Sequence, residues 1–270
     1  MSTVGILIRL LEAAGEWQVI FYRSITLAVM LMGVMLIGHR SRIGHGFAQA
    51  GMAAIAAGLF QAVSFIAFIF SITHATVANT LFLLTAAPFS TAIIARIVIK
   101  EPVRRSTWLS MTVAFMGITV MVLNGLVVDA LFGNLMGLVA ATGYACFTVI
   151  LRREQKKDML PALFFAGVFS AIASAFMVEG FSLSLRDLLL CIALGVFGLG
   201  LSLILFTWAS RHVPAAELVL LALSEVILGP LWVWIGVGET PSTLTLIGGL
   251  IMLAAIVSNA ITGLHRKFPC

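Results

Sequence analysis

The stretch from His212 to Glu239, HVPAAELVLLALSEVILGPLWVWIGVGE, is long and apolar enough to cross a bilayer, and runs of this kind recur along the whole chain. A crossing helix needs about 20 apolar residues. Nine full candidates lie at about 17–38, 50–72, 76–99, 106–125, 134–151, 159–178, 188–208, 214–237 and 243–263. Residues 3–11 form a shorter apolar patch, broken by Arg9 and stopped by Glu12, and read as the outer half of an incomplete first helix. Hydrophobic residues make up 61% of the chain and charged ones 10%, with a mean hydropathy of +1.13. Soluble domains hold about 45–50% and 25%. The expectation is an all-α polytopic membrane protein of ten helices, the first incomplete.

The distribution of charge orients these helices. Arg40, Arg42, Arg96, Lys100, Arg104, Arg105, Arg152, Arg153, Lys156, Lys157, Arg211, Arg266 and Lys267 fall in alternate loops or at the helix ends beside them. Only Arg9, Arg23 and Arg186 fall with the opposite loops, among Glu12, Glu16, Asp129, Glu179, Asp187 and Glu239. The positive-inside rule therefore puts the first set, and the C-terminus, in the cytoplasm of a bacterial-type inner membrane. The net charge of +5 is accounted for by this loop bias, which argues against nucleic acid as a partner. The first residues show no basic stretch followed by an apolar core and a small-residue cleavage site, so a secretory signal peptide is not expected there. Cys146, Cys191 and Cys270 have no ligand spacing, and His39, His45, His74 and His212 have no partner at metal spacing. No nucleotide loop and no nucleophile, base and acid grouping occurs, so neither a cofactor nor catalysis is expected.

The run from His212 has a counterpart in His74 to Glu101. Sliding 60–122 onto 198–260 without a gap aligns His74 with His212, Glu101 with Glu239, Ser64 with Ser202, Phe68 with Phe206 and Thr107 with Thr245, and the helix boundaries coincide. The chain divides into a first five-helix repeat at 1–125, a linker at 126–133, a second repeat at 134–263 and a tail at 264–270. Five is odd, so the second repeat enters the membrane from the opposite side. Inverted repeats of this kind serve alternating access in secondary transporters.

Residues at three places carry a resemblance: EWQVIFYRS at 16–24, AELVLLALSEV at 216–226, and Glu101 and Glu239 closing the fourth and ninth helices. Together with the two five-helix halves they resemble the drug/metabolite transporter superfamily, in its ten-helix EamA-like branch, across nearly the whole chain. Members often have Glu-Pro in the middle of the ninth helix; here Glu225 is followed by Val226, and Pro88 follows Ala87 in the first half. The resemblance implies transport of amino acids, other metabolites or drugs, with export the commoner direction. An intramembrane enzyme or lipid-group transferase and a non-transporting helical partner subunit are the alternatives.

Several polar residues are candidates for binding solute or coupling its movement. Glu225 lies about 18 Å from the cytoplasmic end of its helix, at 1.5 Å per residue, where a carboxylate is costly unless it meets a partner or water. It can carry a proton, or be a neutral packed acid. Glu217 and Ser224 share its face, although Glu217, near the boundary, can equally pair with a loop arginine. Gln61, Ser64 and Phe68 form a stripe at i, i+3 and i+7, repeated by Ser202; such residues line a path or join helices. Asn79 aligns with Glu217. Arg23 offers a bidentate carboxylate clamp or a snorkelling head group. Tyr144 lies mid-helix as a cavity wall, Gly133 and Gly137 form a G-x-x-x-G contact, and the tryptophans read mainly as interface anchors.

Overall fold

The computed structural model describes residues 7, 10–11, 14–39, 43–75, 80, 83–122, 131–224, 228 and 243–265. The described chain is helical, with no strand among the described residues. In order it forms α1 (Glu16–His39), α2 (Ile43–His74), α3 (Ala86–Val98), α4 (Arg105–Val122), α5 (Leu131–Arg153), α6 (Leu160–Ala175), α7 (Leu185–Ala209), α8 (Ala215–Ala222) and α9 (Thr243–His265). Four stretches are long and apolar enough to cross a membrane: Glu16–Ile37, Gly46–His74, Leu131–Arg153 and Leu185–Ala209, with mean hydropathies of 2.0, 2.2, 1.7 and 2.7. Shorter apolar helices accompany them in α3, α6 and α9.

Local sequence sets several boundaries. Ser184 caps α7, its hydroxyl accepting from the backbone N–H of Asp187 at 3.0 Å. Pro161 occupies the first turn of α6, where its missing N–H is harmless. Within α2 the backbone leaves helical geometry at Gly51, with φ 56° and ψ −152°. The middle of α7, Leu194–Leu201, is wound as a π-helix, a form that appears often at functional sites.

The helices from before residue 122 pack mainly on those from after residue 131: α1 on α6, α2 on α5 and α6, α3 on α5 and α8, and α4 on α9. The core they share is rich in alanine, with Ala50, Ala54, Ala57, Ala141, Ala162 and Ala166 buried around Leu27, Phe147, Leu163 and Leu203. In lipid there is no hydrophobic drive between helices, so small residues that permit close dispersion contacts hold the bundle. Gly133 and Gly137 act in this way, meeting Ala75 and the side chains of Ser71 and Leu83. Large apolar side chains face outward instead: Ile37 is 84% exposed, Phe176 83% and Met52 78%. An apolar exterior of this extent is solvated by lipid tails. The protein is a polytopic membrane protein.

Candidate functional site

A cavity lies inside the bundle, enclosing about 790 Å³ of empty space with its open mouth included. Its polar wall is Arg23 from α1, Gln61 and Ser64 from α2 and Tyr144 from α5. Phe65, Phe68, Leu84, Ala87, Leu199, Val219, Ala222 and Leu223 make the rest apolar. Arg23 stands seven residues from the start of α1 and Ser64 ten from the end of α2. At 1.5 Å per residue these positions are about 10 and 15 Å below that end of the bundle.

Arg23 does not snorkel. It is 2% exposed, its Nη2 donates to the Phe65 carbonyl at 2.8 Å, and its guanidinium carbon sits 5.4 Å from the centre of the Phe65 ring. No carboxylate among the described residues pairs with it. The Arg23 Nε and Gln61 Oε1 are both buried without a hydrogen-bond partner among the described residues. A buried cation and a buried amide oxygen left in this way are costly, and a bound polar group would compensate both. Two glycines make the arrangement possible. A Cβ at Gly195 would fall 2.7 Å from the Arg23 carbonyl, and one at Gly143 would fall 2.9 Å from the Phe60 carbonyl beside Ser64. Ser64 donates to the Ala140 carbonyl at 2.8 Å, tying α2 to α5 at the cavity wall. The Tyr144 ring rests on Phe206 and Phe147, with centroids 5.3 and 6.4 Å away.

The remaining sequence candidates go elsewhere. Glu217 sits in the first turn of α8, where an acid suits the helix dipole. It faces Arg104 at 3.5 Å and receives a hydrogen bond from Thr107 at 3.4 Å, away from the cavity. Ser202 donates to the Gly198 carbonyl of its own helix at 2.6 Å and is absent from the cavity wall. Ser224 is half-buried just beyond α8. Asn79, Glu225 and Glu239 lie outside the described residues.

One arrangement had no counterpart among the sequence candidates. At the bundle end opposite the start of α1, Glu101 accepts from Arg152 Nε at 3.0 Å and from the Ala215 backbone N–H at 3.3 Å. Arg152 Nη1 also donates to the Ser210 carbonyl at 3.2 Å, the Arg211 carbonyl at 3.1 Å and the Gln155 side chain at 2.8 Å. In the sequence, Glu101 was legible as a helix-end acid and Arg152 as an orientation charge. Nothing in the spacing joined them across 51 residues.

Comparison with known proteins agrees with this architecture. A pseudopaline exporter of Pseudomonas aeruginosa, found in two strains, is 22% identical over 253 residues, spanning 91% of this chain and 86% of its own length. One crystal structure superposes with a TM-score of 0.79 over 97% of this chain and 93% of the other, at 15% identity, a likeness of fold. The profile of the EamA-like transporter family matches twice, at residues 1–123 and again at 131–260. The chain, a polytopic membrane protein with a largely apolar cavity inside its bundle, therefore belongs to the EamA-like transporter family.

Proposed function

We propose that this protein is a secondary exporter that moves a small organic solute, an amino acid or related metabolite, out across the inner membrane by alternating access. The observation that carries the reading is the cavity, whose wall joins Arg23, Gln61 and Ser64 from the first family match to Tyr144, Leu199 and Val219 from the second. A site shared between two halves becomes accessible to one side or the other as the halves rock. The double family match supports two five-helix units of inverted topology, ten spans in all, with the C-terminus in the cytoplasm. Arg23 holds a carboxylate or similar oxyanion, the group whose charge offsets its own. The Gln61 amide oxygen receives an N–H, and the aromatic and aliphatic walls take the apolar part. Export is supported by the activity in the name of the Pseudomonas aeruginosa relative.

Counterflow in proteoliposomes against a panel of amino acids and related metabolites, with and without a pH gradient, tests the reading. Saturable uptake of a carboxylate-bearing solute is expected, and a chain that exchanges nothing on the panel contradicts it. Glu225, by its depth in the sequence, is the proton carrier of this scheme. Glu225→Gln is expected to abolish uphill movement or remove its pH dependence, and full activity with an unchanged pH profile would remove the proton from the mechanism.

A further inference from the structure

Four helices wall the cavity on the side facing Glu101, and all four end at one place. α3 runs from Ala87 at the cavity to Glu101 just past its end, and α5 runs from Tyr144 to Arg152. α7 runs from Leu199 to the Ser210 and Arg211 carbonyls, and α8 starts at Ala215 and reaches the cavity at Val219 and Ala222. One ion pair, Glu101 with Arg152, contacts all four ends: carboxylate to guanidinium at 3.0 Å, carboxylate to the first N–H of α8 at 3.3 Å, guanidinium to the two α7-end carbonyls at 3.1 and 3.2 Å. Beneath it lies an apolar plug of Ala95, Val149 and Ala215, each at most 1% exposed, with Ile94 and Ile99 packed against it. A second pair, Arg104 with Glu217 at 3.5 Å, ties the start of α4 to α8 beside the first.

The opposite end is built differently. There Gln18 donates to the Gly180 and Ser182 carbonyls at 2.7 and 3.2 Å, and Tyr22 donates to the Phe181 carbonyl. These are neutral bonds from one helix to one loop. His74 also meets Glu16 there at 3.6 Å, an ion pair that requires a protonated imidazole.

We infer that the Glu101–Arg152 junction is the inner gate of the cavity: intact, it seals the solute site from the end carrying Arg152, and its opening admits solute from that side. The inference rests on alternating access at the cavity. Its physical basis is that two partly dehydrated charges and the peptide groups they bind have one strong arrangement. Wetting that end replaces this arrangement with hydrated partners, which gives the discrete open and closed states a gate needs. Because the same two side chains touch α3, α5, α7 and α8, they cannot be parted without freeing helix ends from both family-matched segments.

The test uses the full chain with Cys146, Cys191 and Cys270 replaced by serine and a reporter cysteine at the cavity wall, Ala222→Cys, labelled by a membrane-impermeant methanethiosulfonate. Right-side-out and inside-out vesicles are compared. Glu101→Gln and Arg152→Gln are each expected to raise labelling from the cytoplasmic side at least tenfold and to lower it from the other side. The swapped pair Glu101→Arg with Arg152→Glu is expected to bring both rates back toward the parent. Labelling unchanged from both sides overturns the gate, as does a swapped pair that folds but labels like the single variants. Loss of folding in both single variants, with a swapped pair labelled equally from both sides, also overturns it. A purely structural ion pair would alter yield or stability without this exchange of sides. Side-specific labelling without counterflow of any solute would leave the gate standing and reject the transport reading; counterflow with unshifted labelling would do the reverse.

Discussion

Arg23 and Arg152 are both withdrawn from solvent, yet they have opposite surroundings. The side chain of Arg152 is 16% exposed and satisfied four times over, by a carboxylate, two carbonyls and an amide oxygen. Arg23 is 2% exposed, with one carbonyl, one ring face and an Nε that has no partner among the described residues. A cation already held by a carboxylate and three further acceptors is committed to the protein. One with no counter-charge among the described residues, at the wall of a cavity, suits the proposed role of meeting a group that comes and goes. In the proposed scheme the contrast separates a fastener from a receptor, although sequence alone shows the same residue type near a helix end and inside a helix.

The contrast is open to direct attack. Arg152→Gln is expected to destabilise the protein by about 2 kcal/mol, between the values for exposed and for fully buried pairs, since both side chains retain some exposure. Unfolding in mixed micelles measures this, and Glu101→Gln should lose a similar amount but add little in combination with it. Arg23→Gln should shift stability by less than about 1 kcal/mol, because the lost carbonyl bond and ring contact are offset by removing a buried charge. It should instead weaken binding of a carboxylate solute at least about tenfold, or about 1.4 kcal/mol, with Arg23→Lys intermediate for want of the planar fork. An Arg23 variant that unfolds while still binding would reverse the two roles. The smallest effects compare two serines aligned by the repeat. Ser64→Ala, which breaks an interhelical bond, should cost about 1 kcal/mol, whereas Ser202→Ala, which frees only a bond within its own helix, should fall below about 0.5 kcal/mol. Equal costs for the two serines would remove the distinction between a wall residue and a helix-internal one.

How far the site was legible follows from the same residues. Apolar run lengths located the long helices: 17–38 and 188–208 anticipate Glu16–His39 and Leu185–Ala209 to within a few residues. Spacing at i, i+3 and i+7 placed Gln61, Ser64 and Phe68 on one face, and that face lines the cavity. The alignment of Ser64 with Ser202 did not carry over to the second serine. The π-wound segment Leu194–Leu201 ends just before Ser202, and its hydroxyl turns to the Gly198 carbonyl within that segment. Glu217 shares a helical face with Ser224 by arithmetic, but α8 begins only two residues earlier at Ala215. The acid therefore meets Arg104 at the helix end.

By itself the sequence determined the class of the molecule. Where no water can satisfy the backbone only helices or closed barrels span, apolar runs of about 20 residues select helices, and periodicity of 3.6 residues fixes which side chains share a face. Only the tertiary structure decided which faces meet. It put the Phe65 carbonyl and ring on Arg23, brought Tyr144 across to Gln61 at one cavity, and closed Glu101 onto Arg152 and the first N–H of α8. The physical reason is that a bundle in lipid is held by close dispersion contacts and a few polar bonds rather than by burial of apolar area. The glycines and alanines that let helices approach, Gly143 at Ser64 and Gly195 at Arg23 among them, therefore select the pairing, and that selection resides in three-dimensional fit rather than in any one helix.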